Sequence, residues 1–325
     1  MKGTLVKKKL TLRLAAAVAL SLAVSGCQGV SSDAGSGSDN AAKGVVKLAV
    51  NPWVGNEANA AVIGYLLEKE LGYEVEEKNL KEEISWQGFE TGEVDVIVEN
   101  WGHEDLKQQY IEDKKVAVDL GPTGNKGVIG WYVPAWMAEK HPDITDYRNL
   151  NKYADLFKTS ESGGKGQLLD GDPSFVTNDE ALVTNLKLNY KVVYAGSEAS
   201  LIKAAQQATA QQKPLLFYFY EPQWLFAKEK YVRVNLPPYT DGCDADPKKV
   251  NCDYPDYTLD KIASAKFAET GGAAFEFVKN FQWTNDDQNE VASYIALDGM
   301  SARDAAEKWV AAHESTWRAW LPAGT

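Results

Sequence analysis

Four aromatic residues stand where strands are expected to end. Trp53 follows VVKLAV in NPWVGNEA, Trp101 closes VDVIVENW, Phe175 lies in GDPSFVTNDEA, and Tyr220 closes LLFYFY before Glu221 and Pro222. Ligands of open α/β sheets bind beyond the carboxyl ends of the strands. One ring at such a place is ordinary core material, but four at equivalent places can surround a single cleft. The chemistry that needs such rings is capture of a quaternary ammonium. That group has no N–H to donate, so it is held by aromatic faces, each worth roughly 0.5–2 kcal/mol. A carboxylate alone would bind the charge without telling it from sodium or lysine. Stacked rings also grip sugars, so the cage by itself leaves carbohydrate open. The rings are expected to line a cleft and not to fill a core. Tyr218 shares a facing with Tyr220 and can back it, while Phe217 and Phe219 point to the other side of the strand.

A second feature lies beside Phe175. Thr177-Asn178-Asp179-Glu180 fits a capping box and predicts a helix start. The amides of Val176, Thr177 and Asn178 would then face outward at a helix N-terminus, a place that suits a carboxylate. The alternative is an ordinary capped helix.

These residues need a scaffold. From Val45 strand and helix patterns alternate: strand 45–50, helix 56–71, strand 73–80, short helix 83–93, strand 94–101, helix 103–114 and extended chain 127–136. The pattern restarts with strand 166–172, helix 177–188, strand 190–196, helix 197–212 and strand 214–222. Alternation predicts an α/β fold with mainly parallel strands. After YVRVNLPPY and a cysteine loop, helices are expected over 258–280, 286–297 and 301–320. Trp309, Trp317 and Trp320 fall on one side of the last of these and read as packing residues, as do Trp283, Trp136 and Trp86. No sequence repeat joins the two α/β parts. They are expected to form two lobes around a cleft, 44–130 plus 236–325 and 131–235.

The first 26 residues read as a signal peptide, with a basic start and an apolar run from Leu14 to Val24 too short to span a bilayer. Val24-Ser25-Gly26-Cys27 resembles a lipobox, which implies cleavage before Cys27, lipidation of its thiol and anchorage to the outer face of the cytoplasmic membrane. Residues 27–43 read as a flexible tether. Cleavage removes five of the 34 basic residues and none of the 46 acidic ones, taking the formal net charge from −12 to −17. That balance argues against nucleic acid as a partner. Cys243 and Cys252 in GCDADPKKVNC are expected to pair in an oxidising compartment. Three histidines and three cysteines leave little for a metal centre, and no metal or cofactor is expected. The absence of a G-x-S-x-G elbow argues against a hydrolase. A receptor for a sugar or an amino acid is the nearer rival.

The chain resembles the glycine betaine/choline-type substrate-binding proteins of ABC importers. The resemblance runs over about 44–320 and rests on NPWVGNEANA, GEVDVIVENW, GNKGVIGWYVP, GDPSFVTNDEA and FYFYEPQW. It implies a type II periplasmic-binding-protein-like fold, a pair of α/β lobes joined by two crossing strands, acting as a monomer with an ABC permease. It also implies that Trp101 is the box tryptophan and Trp53 a wall. Tyr220 and Phe175 stand where members carry tryptophan, and the amides after Phe175 take the carboxylate. Two departures leave the ligand open among glycine betaine, choline and carnitine. Some relatives have a carboxylate-binding histidine four residues after the tryptophan, whereas His103 comes two after Trp101. Choline-selective relatives place an aspartate near the first tryptophan, where Gly55, Asn56 and Glu57 stand here.

Overall fold

The computed structural model describes residues 43–324. Cys27, the signal peptide and all but the last residue of the tether lie outside them. Nine strands form one mixed sheet: β1 Val45–Val50, β2 Glu74–Asn79, β3 Val96–Asn100, β4 Ala117–Pro134, β5 Gly166–Asp170, β6 Tyr190–Tyr194, β7 Phe217–Glu221, β8 Tyr231–Arg233 and β9 Asp256–Ser264. The order is β2-β1-β3-β9-β4-β7-β5-β6, with β8 paired to β4. Two parallel triplets, β2-β1-β3 and β6-β5-β7, each run second-first-third. Between them lies the antiparallel pair β9 and β4. β4 is long enough to serve both halves: Ala117–Val128 lies along β9 and Val128–Tyr132 along β7. The expected lobe boundary at residue 130 falls inside it.

Each triplet follows from its pattern. β1 and β3 are apolar and buried, and the helix Val54–Lys69 crosses from β1 to β2 as a parallel connection requires. In the second half the helices Asp179–Asn185 and Glu198–Ala210 make the same crossings. Phe217 and Phe219 are fully buried against Phe226 and Tyr231.

The largest departure is at 258–280. Its first part is β9, and helix begins only at Ala265–Thr270 and Gly272–Asn280. Leu259, Ile262 and Ala263 recur at helical spacing, and Asp260-Lys261 reads as a solvated turn of helix. This segment instead lies between β3 and β4, and both its faces are covered. Asp260 accepts from Asn100 Nδ2 at 2.8 Å and pairs with Lys107. Lys261 gives its ammonium to the carbonyls of Pro122 and Lys279 at 3.0 and 3.1 Å, and to that of Phe281. Burial pulls its pKa down to about 8. The helix expected over 301–320 is likewise broken at His313 into Ala302–Ala312, Glu314–Trp317 and a final 3₁₀ turn. Trp309, Trp317 and Trp320 are buried there, and Trp86 and Trp283 elsewhere. Cys243 and Cys252 form a disulfide with Cα atoms 6.3 Å apart.

Candidate ligand-binding site

Beyond the carboxyl ends of β1, β3, β5 and β7 lies a pocket whose lining includes Trp53, Trp101, Phe175, Tyr218, Tyr220 and Tyr257. The rings meet edge to face. Centroids are 5.8 Å apart for Trp53 and Phe175, 5.6 Å for Trp101 and Tyr220, and 6.3 Å for Phe175 and Tyr220. Such packing turns several π faces toward one space. The walls are also core: Trp53 and Tyr220 are only 6% and 4% exposed, against the expectation of rings that merely line a cleft.

Local structure aims each ring. After β1, the Asn51 backbone N–H donates to Asn56 Oδ1 and its Nδ2 to Leu80 O and Ser85 Oγ, each at 2.9 Å, which fixes the turn that carries Trp53. After β3, Asn100 donates to Gly102 O at 2.8 Å and so sets the bend at Trp101. After β5, Asp172 accepts from the amide and hydroxyl of Ser174. Gly171 lets the Phe175 ring lie on the backbone, since a Cβ there would come within 2.7 Å of it.

Two buried carboxylates stand behind the box. Glu99 Oε1 accepts the indole N–H of both Trp53 (2.9 Å) and Trp101 (2.7 Å). Its Oε2 accepts from Asn59 (2.6 Å) and Gln288 (3.1 Å). Burial pushes Glu99 up to about 7 despite these donors. Glu198 accepts the Tyr220 hydroxyl and Gln223 Nε2, and its other oxygen takes the Val54 amide at 2.9 Å. It ties the Tyr220 wall to the helix that begins beside Trp53, and burial raises its pKa too.

The polar side of the pocket holds His103, Glu82 and Val176. His103 Nε2 lies 3.0 Å from Glu82 Oε1. Burial pulls the imidazole down, but the hydrogen bond and charge of Glu82 outweigh it, and His103 titrates above its ordinary value. The amides of Val176 and Thr177 have no protein acceptor among the described residues, whereas that of Asn178 donates to Tyr254 Oη at 2.7 Å. The capping box is not formed. The helix starts at Asp179 with no side-chain cap, and the Thr177 hydroxyl donates instead to Asp170 at 3.0 Å. Burial raises Asp170 to about 6, so a nearby buried acceptor draws the hydroxyl away from the helix end. Thr177 is not among the pocket's lining residues, and Asn178 faces the wider outer cleft, which shares Trp101, His103, Val176 and Tyr257 with the pocket. No metal-type cluster occurs among the described residues.

Sequence reading missed Tyr257 and Glu82 in the lining and both anchoring carboxylates. Tyr257, 5.8 Å from Trp101, lay at the edge of a segment read as helix. Glu99 did leave a signal: an acid in an apolar strand two residues before Trp101, on the same facing. Glu198, at the head of a helix, left none.

The pocket can therefore hold a compact cation among rings, with hydrogen-bond donors at one side. Over 292 residues the chain is 27% identical to a trimethylamine N-oxide-binding protein of Pelagibacter ubique (strain HTCC1062), covering 86% of this chain and 92% of that protein. Its fold is similar to lactococcal OpuAC in its closed-liganded conformation complexed with glycine betaine, with a TM-score of 0.65, 23% identity and 86% and 99% of the two chains covered. It is also similar to an ABC-transporter choline binding protein in complex with choline, with a TM-score of 0.69, 19% identity and 85% and 91% covered. These likenesses establish the two-lobed periplasmic-binding-protein-like fold. The family model for the substrate binding domain of the ABC-type glycine betaine transport system matches residues 44–312, so this chain is a member of that solute-binding family.

Proposed function

We propose that this protein captures a small methylated ammonium solute, glycine betaine before choline or carnitine, and delivers it to an ABC permease. The observation that carries this is the ring set Trp53, Trp101, Phe175, Tyr218, Tyr220 and Tyr257 around one pocket. The free amide of Val176 and the imidazole of His103, both in the pocket's lining, suit the carboxylate that glycine betaine carries and choline lacks. The triplets β2-β1-β3 and β6-β5-β7 act as two lobes that close on the ligand, and Cys27 bears the lipid that holds the monomer outside the cytoplasmic membrane. Closure is driven only by the ligand's greater affinity for the closed form.

Calorimetry on the 28–325 chain with glycine betaine, choline, carnitine, trimethylamine N-oxide and maltose tests the reading. Glycine betaine should bind tightest and maltose not at all. Trp101→Ala should weaken binding by about tenfold, the worth of one cation–π wall. Maltose binding without ammonium binding overturns the reading.

A further inference from the structure

Glu99 is 1% exposed, takes four hydrogen bonds and meets no cation among the described residues. A buried carboxylate without a counter-ion is costly. Holding two indole N–H groups does not need a charge, since an amide oxygen in the same place would accept both. The charge therefore has a use beyond positioning. An N–H that donates to an anion pushes electron density into its ring, because hydrogen-bonded groups polarise one another in a low dielectric. The negative face of such a ring attracts a cation more strongly. One oxygen serves both Trp53 and Trp101, so both rings are affected together.

We propose that Glu99 is the residue that makes this pocket select for charge: as a carboxylate on the indole N–H groups of Trp53 and Trp101, it supplies counter-charge to an ammonium that it does not touch. This rests on the proposed function and deepens it. The other charged and titratable groups around Glu99 are Glu82, paired with His103, and on the far wall Tyr220 with Glu198.

The test uses Glu99→Gln. The variant keeps an oxygen for both indoles, and turning over the Gln288 side-chain amide brings its buried, unpartnered Oε1 to accept from the new amide. Glycine betaine is compared with 3,3-dimethylbutanoate, in which carbon replaces nitrogen and the shape is kept. At pH 8 the variant should lose about tenfold for glycine betaine and nothing for the carbon isostere, as removal of a charge near the ammonium requires. Between pH 8 and 5.5 the wild type should lose about the same tenfold for glycine betaine, because binding favours the ionised form of a group that titrates near 7, and the variant should not. His103 titrates in both proteins, so the difference between them belongs to Glu99. Equal losses for both ligands, or matching pH profiles, overturn the inference while leaving the proposed function standing. If the variant does not fold, a wild-type glycine betaine affinity that stays constant from pH 8 to 5.5 overturns it alone. Failure of the wild type to bind any methylated ammonium removes the proposed function, and this inference with it.

Discussion

Replacing Gly127 with alanine should damage the pocket without removing any of its groups. Gly127 lies in β4 opposite Tyr257 of β9. A Cβ there would stand 2.6 Å from Trp101 Cζ3, 2.9 Å from Leu259 Cδ2 and 3.0 Å from Tyr257 Cβ. Ordinary carbon contacts are near 3.5–4 Å, so the Trp101 ring must move by about 1 Å. Its indole nitrogen is tethered to Glu99 at 2.7 Å, and Leu259 and Tyr257 crowd the same methyl, so the ring yields toward the cavity it lines. Overpacking of this kind costs roughly 1–3 kcal/mol. Where the ring gives way into the ligand's space, that cost appears in binding as a loss of about tenfold to hundredfold. Calorimetry with glycine betaine and a thermal melt would measure the two shares. The double variant with Trp101→Ala supplies the control. If displacement of Trp101 is the cause, the second change should add almost nothing to Trp101→Ala alone, as coupled neighbours behave. Unchanged affinity in Gly127→Ala, or losses that simply add in the double variant, would refute the reasoning.

Acidification should stabilise the ligand-free protein. Burial raises Glu99 from 4.5 to about 7 and Asp170 from 3.8 to about 6. A carboxyl raised by folding binds its proton more tightly in the fold, so the stability it contributes is present at low pH and lost as pH rises through the folded value. Glu99 alone should give about 2 kcal/mol between pH 8 and 5.5, and a melting temperature that is flat or falls on acidification would count against it. Cys27→Ala should leave the protein unprocessed or release it from membranes; a mature-sized variant that still sediments with them would show that the lipid is not there.

Much of this protein is written in local pattern. Apolar runs of five or six residues ending in NPW, ENW and YEPQW mark both a strand and the ring that follows it. Within each triplet parallel strands bring their carboxyl ends together, and because three antiparallel pairings separate β3 from β7 the triplets run in opposite senses, so the ends of β1 and β3 face those of β5 and β7. Pattern was enough to single out Trp53, Trp101, Phe175 and Tyr220 and to suggest the ligand's chemistry, whereas the pairing of β4 with both β9 and β7 brought them to one pocket. Tertiary structure decided what polar residues do once they are enclosed. Asp260 and Lys261 look like solvated helix until β3 and β4 supply Asn100 and the Pro122 carbonyl, and the neighbouring helical segments supply Lys107 and the carbonyls of Lys279 and Phe281. Thr177 looks like a helix cap until a buried Asp170 takes its hydroxyl. Glu99 and Glu198 acquire their places only when donors distant in the chain converge on them, from Trp53, Asn59 and Gln288 in one case and from Val54, Tyr220 and Gln223 in the other. The physical reason is that an apolar side chain needs only to leave water, which pattern reveals, whereas a buried polar one needs a particular partner at hydrogen-bond distance, which only the folded chain provides.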